Sequence, residues 1–351
     1  MKVLGICAGN GVILHPFHRD SAFEVIGNIE PRGVFHTKCS SQWKSNFGDI
    51  PIFKRANDYE ATLGRPKVDV IVGHPDCGHS SILSFSRAKK FGNPKDNASL
   101  TLFSEKVKEY NPRLFLLENL TQMLTQIGED DWKKHFSKHR LIFIKTSVAS
   151  FGNSQVSRER LIIIGVRKTV PLSKAKKFSK VKKVAKLKTE KQLLGKLVKI
   201  GNIPELGHVR EPDSTIVCME WGFEKLNLAQ VRKAWNTRLK GQKNWDATQT
   251  GKGRMKTLPG VYRNLADVAP RTARKQNRQF NHLGNMMSAR ELARIQGLPD
   301  DFVIHYDENN SGYWINKGRV SVTKTPPYEV GMWFKKTIKR IITKSKANEV
   351  R

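Results

Sequence analysis

The strongest constraint on this chain is a series of short, almost unbroken apolar runs spaced by helical stretches. "KVLGI" (2–6), "FEVIGNI" (23–29), "VDVIVG" (68–73) and "RLFLLEN" (113–119) each hold apolar residues at successive positions. Runs of that length read as strands, and continuous rather than alternating apolarity reads as parallel strands covered on both faces. Helical stretches fit between them at about 33–46, 97–110 and 120–138. "LIFIKTSV" (141–148) and "RLIIIGV" (160–166) read as a terminal hairpin. Strand–helix alternation at this spacing predicts an open α/β sheet. Such sheets bind ligands at the carboxyl ends of their strands, so chemistry-bearing residues are sought there.

The pattern changes after Arg167. "RKTVPLSKAKKFSKVKKVAKLKTEKQ" (167–192) is lysine-rich with one acid, Glu190. It reads equally as a linker or as a basic strip that follows phosphates. From 193 to 280 the sequence is irregular, with Trp221, Trp235, Trp245 and Tyr262 among basic residues. Order returns at "MMSARELARIQGLPDDF" (286–302). There Ser288 and Glu291 form a candidate capping box, Leu292 and Ile295 share a face, and Gly297 with Pro299 ends the helix. A last helix is expected from near Gly331. The division read from this is a catalytic, cofactor-binding domain over 1–168, a basic target-recognition region over 169–281, and a segment over 282–351 that returns to the catalytic domain.

Charge narrows the partner. The 351 residues carry 63 Lys+Arg against 31 Asp+Glu, a net +32. Lysine-rich surfaces of thermophile proteins are balanced by glutamate, and this one is not. A polyanion, above all nucleic acid, is the partner that such an excess favours. Cys7, Cys39, Cys77 and Cys218 are scattered with no C-x-x-C pair, which speaks against a disulfide framework or a structural zinc site; no metal is expected. No run approaches the ~18 apolar residues of a membrane span, and no export signal is read. A reduced cytoplasmic setting and no membrane partner are expected.

Four strand ends and the hairpin turn hold the candidate chemistry. The first strand runs into "CAGNG" (7–11), where glycines let a ligand approach the backbone. Glu30 follows about 20 residues on, at the end of the second strand, where an acid commonly holds a ribose. By itself this fits NAD, S-adenosylmethionine, or a purely structural turn. The strand at 68–73 ends in "GHPDCGHSS", a lone cysteine among small residues. Cys77 is either a small buried hydrophobe or a nucleophile. Glu118 and Asn119 close the strand "RLFLLEN" and would line the same crevice, where a buried carboxyl group is expected to stay protonated and donate a hydrogen bond. "SRER" (157–160) on the hairpin turn adds guanidinium groups for phosphate or base contacts.

Together these segments resemble the DNA (cytosine-5) methyltransferase family, in the family's order. "CAGNG" looks like its cofactor loop, "NIEP" its ribose-binding acid and "GHPDCGHSS" its nucleophile loop, with Ser81 four residues after Cys77. "ENL", "QVSRER", "SARELARIQGLPDDF" and the segment from "YEVG" are similar to its later motifs. The departures are Asp76 where the family has proline, Gly78 for glutamine, Cys7 for phenylalanine, Val12 for glycine and Met332 for asparagine, with one extra residue between Gln155 and Arg158.

The resemblance implies an S-adenosylmethionine-dependent methyltransferase (Rossmann-like) α/β sheet with a second, smaller target-recognition domain. It implies methylation of cytosine carbon 5 in double-stranded DNA. Cys77 would add to carbon 6, making carbon 5 nucleophilic toward a sulfonium methyl. Glu118 would support the ring at nitrogen 3, Asn119 would orient the loop, and Arg158 and Arg160 would contact the flipped base or its phosphate. Cys7, Ala8, Gly9, Asn10, Gly11, Glu30 and Pro75 would hold the cofactor. Ser81, Arg158, Arg160, Lys176, Lys177, Lys182 and Lys183 would contact DNA. A monomer is expected, in a bacterial or phage-infected cell, with a cognate restriction enzyme as a possible companion. The alternatives are an RNA cytosine-5 methyltransferase, a non-catalytic DNA-binding relative, and an NAD-dependent oxidoreductase, which would leave Cys77, Glu118 and Arg160 without a role.

Overall fold

The computed structural model describes residues 1–31, 40, 42–77, 97–153, 155, 158–179, 181, 188, 192–193, 289–304, 322 and 325–349. Its centre is one seven-stranded sheet. The strands are β1 (Lys2–Ile6), β2 (Glu24–Ile29), β3 (Ile52–Phe53), β4 (Val70–Gly73), β5 (Leu114–Asn119), β6 (His139–Ser147) and β7 (Glu159–Arg167). Their order is β3-β2-β1-β4-β5-β7-β6. Neighbours from β3 through β5 pair in parallel. β7 enters antiparallel between β5 and β6, forming the expected hairpin with β6. The parallel strands therefore point their carboxyl ends, and β7 its amino end, to the same edge.

The continuous apolar runs are explained by two cores, one on each face. Val3, Val70, Val72, Leu114, Leu116, Ile162 and Ile164 belong to one. Leu4, Ile6, Ile71, Phe115, Leu117, Leu161 and Ile163 belong to the other. Neighbouring residues along a strand alternate between them, as the two-residue period requires. Where Phe115 pairs with Gly165, a Cβ on Gly165 would lie 1.9 Å from the phenyl ring. Only glycine leaves room for Phe115 there.

The helices that cover the sheet include α1 (His15–His18), α2 (Ala56–Leu63), α3 (Ala98–Tyr110), α4 (Gln122–Ile127) and α5 (Glu129–His135), with α6 (Leu172–Ala175) after β7. The helical stretch expected at 120–138 is two helices, because Gly128 has φ 82° and breaks the run between them. α1 follows the glycine loop, while the two-residue β3 and the helix α2 carry no signal in the sequence. α3 starts on Asn97, whose side chain accepts from the backbone N–H of Ser99 and Leu100, an N-cap of the usual kind. Residues 42–47 are helical, within the stretch predicted at 33–46.

By compactness the chain divides into two units. One comprises Met1–Asn153, Ser157–Ala185 and Thr325–Arg351, the other Ser154–Val156 and Lys186–Lys324. The last helix, α8 (Tyr328–Glu349), belongs to the first unit and adds Val330, Phe334 and Ile338 to the core it shares with Val3 and Leu116. It approaches closely at Gly331, where a Cβ would lie 2.4 Å from the Ile13 carbonyl oxygen. In the second unit, α7 (Ala289–Ile295) buries Leu292 and Ile295. It closes on Gly297 at φ 78°, with Gly297 N–H to Arg294 O at 3.0 Å and Leu298 N–H to Ala293 O at 2.9 Å. That is the double C-terminal closure that a glycine permits. Ser288 and nearly all of the region expected at 169–281 lie outside the described residues.

Candidate active site

The loop after β1 is tied to the end of β2. Cys7 N–H donates to Ile29 O at 2.8 Å. Ala8 N–H donates to Asn28 Oδ1 at 3.2 Å and Asn28 Nδ2 donates to Gly9 O at 3.1 Å. Glu30, fully buried, accepts from Gly9 N–H through Oε2 at 2.8 Å. Three residues of the loop have positive φ: Cys7 (55°), Gly9 (60°) and Gly11 (85°). For a cysteine that conformation is uncommon and is found where a ligand loop is held under strain. A Cβ on Gly11 would strike Phe47 at 2.3 Å, whereas one on Gly9 meets nothing within 4 Å. Gly11 is thus fixed by packing against the stacked Trp43–Phe47 pair, and Gly9 has space beside Glu30. Polar loop backbone, adjacent space and a buried acid suit a nucleoside-bearing cofactor. Cys7, Ala8 and Asn10 are buried within the same loop. The sequence reading had Asn28 only as a strand residue; its two bonds make it the clasp of the loop.

The nucleophile loop is held from two sides. Asn119 Nδ2 donates to Pro75 O at 2.9 Å, in keeping with a loop-orienting role. From the other side, Asp76 N–H donates to Ser99 Oγ at 2.6 Å, Asn97 Nδ2 donates to Asp76 O at 2.7 Å, and Ser99 Oγ bonds Asn97 Oδ1 at 2.7 Å. The start of α3 therefore anchors the backbone that carries Cys77. Ser81 lies outside the described residues.

Glu118 sits at the focus. It continues the Leu114–Leu116 face of β5, and its cross-strand partner on β7 is Ile162. Arg160 lies two residues before Ile162, hence on the same face. Its Nε lies 2.9 Å from Glu118 Oε1. His74 Nδ1 lies 2.5 Å from Glu118 Oε2 and 3.1 Å from the Glu118 backbone carbonyl oxygen. Neither carboxylate oxygen makes an aligned hydrogen bond, although both have these close charged contacts. The contacts are ion pairs off the hydrogen-bond axis, which leaves the oxygens acceptor capacity toward a bound base.

The charges in this cluster are coupled. Burial alone would raise the Glu118 carboxyl, but the His74 charge and contact, aided by Arg160 and Arg158, hold it below the usual carboxylate value. The expected protonated Glu118 is therefore corrected: with His74 beside it the carboxyl is ionised at rest. Burial opposes the charged form of His74 as well, yet Glu118 and Cys77 raise it to about 10. For Cys77, burial raises the thiol, and the hydrogen bond and charge of His74 outweigh it, with Asp76 opposing and Arg160 assisting; the net direction is down. All three shifts run toward the charged forms: Cys77 down, His74 up and Glu118 down. His74 had passed unremarked in the sequence, since a histidine beside a proline carries no periodic signal.

The two arginines separate. Arg160 is part-exposed beside Glu118. Arg158 is 2 % exposed, and its Nη2 donates to Thr325 O at 2.6 Å. Burial lowers it to about 9, with Arg160 adding to the effect. In this position it faces the interior rather than a phosphate surface, because the turn before β7 folds it under the returning segment. Lys176 is exposed and Lys177 half-buried, while Lys182 and Lys183 lie outside the described residues. Among the described residues no group of three His, Cys, Asp or Glu could hold a metal ion, and no helix is long and apolar enough to cross a membrane. A cleft of about 600 Å3 lined by Met1, Asp69, Arg113 and Ile338 opens at the opposite edge of the sheet, away from this chemistry.

Comparison with known proteins gives the fold and the family. Three solved structures share the fold. A DNA modification methyltransferase encoded within an E. coli prophage is 16 % identical, with 98 % of this chain and 99 % of that one covered and a TM-score of 0.64. The S. pombe Dnmt2 methyltransferase is 12 % identical, with 97 % and 99 % covered and a TM-score of 0.59. The Spodoptera frugiperda DNMT2 mutant structure is 14 % identical, with 96 % and 98 % covered and a TM-score of 0.56. At these identities the likeness is one of fold. Family membership comes from the sequence itself: residues 1–315 match the family described as C-5 cytosine-specific DNA methylase. With that match extending from the glycine loop through the cysteine, the buried glutamate and the supporting helix, the chain belongs to the C-5 cytosine-specific DNA methylase family, whose methyl donor is S-adenosylmethionine.

Proposed function

We propose that this protein methylates carbon 5 of cytosine in double-stranded DNA through a covalent Cys77 adduct on a flipped-out base. The observation that carries the reading is the convergence of Cys77, Glu118 and Arg160 at one sheet edge, beside the Gly9–Glu30 loop. Cytosine carbon 5 is a poor nucleophile until something adds to carbon 6. A Cys77 thiolate favoured by His74 supplies that addition. Negative charge then develops on the ring; Arg160 is placed to offset it, and Glu118 does so only in its protonated form. The loop of residues 7–11, with Asn28 and Glu30 behind it, would hold S-adenosylmethionine; when bound, the cofactor supplies the electrophilic methyl group.

Duplex DNA is the favoured acceptor because a net charge of +32 suits a phosphate backbone, and a base inside a duplex must be flipped out for a few kcal/mol. Lys176 and Lys177, with Lys182 and Lys183, are proposed backbone contacts, and Ser81 a phosphate contact. We place the enzyme, as a monomer, in the cytoplasm of a bacterial or phage-infected cell, alone or beside a cognate restriction enzyme. Asn119 positions the nucleophile loop and Arg158 supports the turn that carries Arg160.

The test compares methyl incorporation into duplex DNA and transfer RNA by wild type and Cys77→Ser. Incorporation into DNA by wild type, lost in the variant while DNA binding persists, is the expected result. So is a covalent adduct with duplexes carrying 5-fluorocytosine, formed by wild type alone. Methylation of RNA alone would move the substrate to RNA. Undiminished turnover by Cys77→Ser would overturn the covalent route.

A further inference from the structure

Asp76, the residue just before Cys77, has both of its backbone groups held by the start of α3. Its N–H donates to Ser99 Oγ at 2.6 Å, and its carbonyl oxygen accepts from Asn97 Nδ2 at 2.7 Å. We propose that Asn97 and Ser99 are positioning residues for the methyl transfer. They fix the Cys77 backbone relative to the cofactor loop, doing by hydrogen bonds what a proline at position 76 would do by its ring. The inference rests on the reading of Cys77 as the nucleophile and adds to it what sets the nucleophile's place.

The placement begins in the sheet. β1 and β4 are neighbours, with Ile6 opposite Gly73, so the loops that follow them leave the same edge side by side. α3 lies over the end of β4. A Cβ on Gly73 would come within 2.7 Å of the Phe103 ring, so the glycine is what lets the buried Phe103 sit there. Ser99 precedes Phe103 by four residues and therefore shares its helix face. One turn nearer the helix start, Ser99 meets Asp76. The chain that leaves the sheet through Cys77 returns through Asn97, so the same bonds close the base of that excursion.

The hydrogen bonds of the clamp are complete. Asn97 Oδ1 accepts from the backbone N–H groups of Ser99 and Leu100. It also accepts from the Ser99 hydroxyl at 2.7 Å, which turns the free lone pairs of Ser99 Oγ toward the Asp76 N–H. Asn97 and Ser99 are 1 % and 6 % exposed, so water does not take the place of either bond. Ser99 faces the cofactor loop as well. Its carbonyl oxygen lies 3.9 Å from the Cys7 sulfur, in reach of a weak S–H donor. One residue thus touches both the loop that would carry the methyl donor and the loop that carries the nucleophile. Sulfur adds to carbon 6 and the methyl group goes to carbon 5, adjacent atoms of one ring, so the two loops must keep a fixed separation. Position 76 shows why this chain needs the bond. Proline has a fixed φ and no N–H to give. Where this chain departs from the family's proline, Asp76 brings a free N–H and Ser99 brings its acceptor.

The test follows covalent adduct formation in a single turnover, with full-length protein, S-adenosylmethionine and duplex DNA carrying 5-fluorocytosine in place of cytosine. Wild type is compared with Ser99→Ala, Ser99→Thr and Asn97→Asp. Ser99→Thr keeps the hydroxyl. Aspartate caps a helix as effectively as asparagine, so Asn97→Asp keeps the helix start and removes the donor to the Asp76 carbonyl. A displacement of about 1 Å can cost about a hundredfold in rate. Ser99→Ala and Asn97→Asp should therefore each slow the adduct at saturating DNA at least tenfold. Half-saturation by DNA should stay within twofold of wild type, and the thermal shift given by S-adenosylhomocysteine should be retained. Ser99→Thr should stay within threefold of wild type. Asp76→Pro removes the N–H that Ser99 holds, so adding Ser99→Ala to it should slow the adduct less than twofold further. Adduct formation by Ser99→Ala as fast as by wild type overturns the proposal, even where its melting temperature has fallen. So does an equal loss in Ser99→Ala and Ser99→Thr, or a tenfold effect of Ser99→Ala that persists beside Asp76→Pro. Each of these leaves the Cys77 reading standing, whereas no adduct with wild type overturns that reading and this proposal with it.

Discussion

Replacing Glu329 by glutamine perturbs a part-buried carboxyl that no catalytic argument needs. Glu329 lies in the first turn of α8, and Asn153 Nδ2 donates to both of its oxygens, at 3.0 and 3.1 Å. Burial raises it from 4.5 to about 7, against smaller opposing effects of its own backbone N–H, Asn153 and Arg158. The folded-state value is thus above the unfolded one. Below 4.5 both states are protonated and there is no contribution. Between 4.5 and 7 the unfolded chain ionises while the folded protein stays neutral, so stability falls as pH rises; above 7 the loss is complete. At ~1.4 kcal/mol per unit, the full loss is about 3 kcal/mol. Glutamine mimics the protonated form but presents an amide to Asn153 on one side, which costs about 1 kcal/mol at every pH. Glu329→Gln should therefore be about 1 kcal/mol less stable than wild type near pH 4.5 and about 2 kcal/mol more stable at pH 8. Urea unfolding at intervals between the two measures it. A difference that does not change with pH would refute the argument, whatever its size.

Three further outcomes are expected. Gly165→Ala should cost about 3 kcal/mol, at the upper end for overpacking, since its Cβ would lie 1.9 Å from the Phe115 ring; the melting temperature should fall and partly recover when Phe115→Leu is added. Asn28→Ala removes both bonds that clasp the cofactor loop, each worth about 1 kcal/mol; calorimetry should show S-adenosylhomocysteine binding roughly ten- to thirtyfold weaker, with duplex DNA affinity unchanged. Neutralising Lys176, Lys177, Lys182 and Lys183 together should flatten the slope of log affinity against log salt by up to roughly 3–4, and leave the methylated sequence as it was; an unchanged slope would assign these lysines to a solvated surface.

What could be read from the sequence follows the range of the interactions involved. β1, β2, β4, β5 and the β6–β7 hairpin were legible because each carries its own signal, a run of apolar residues with a defined end. The positions of Cys77, Glu118 and Asn119 followed, since strand ends in such a sheet share one edge. Three features lack a local signature. β3 has two residues, too few for any period. Asn28 looks like an ordinary strand residue until the β1 loop folds back on it. The ionisation of Glu118 depends on His74, 44 positions earlier, and on Arg160, brought alongside only because β7 runs antiparallel. Burial by itself argued for a neutral acid; the neighbours reverse that, and neighbours across a sheet are not written in sequence order.

The return of α8 to the sheet has a consequence for how the protein comes to exist in a cell. Val330, Phe334 and Ile338 cover the same face as Val3, Val70 and Leu116, yet the ribosome makes Lys186–Lys324 before it reaches them. At ~5–20 residues per second, that interval is roughly 7–28 s. Throughout it, the nascent sheet has all seven strands and one apolar face without its last cover. Such a surface is adhesive on that timescale. The nascent chain is therefore a client for a holding chaperone, and a stop codon placed shortly after residue 324 should yield aggregate rather than a weak enzyme.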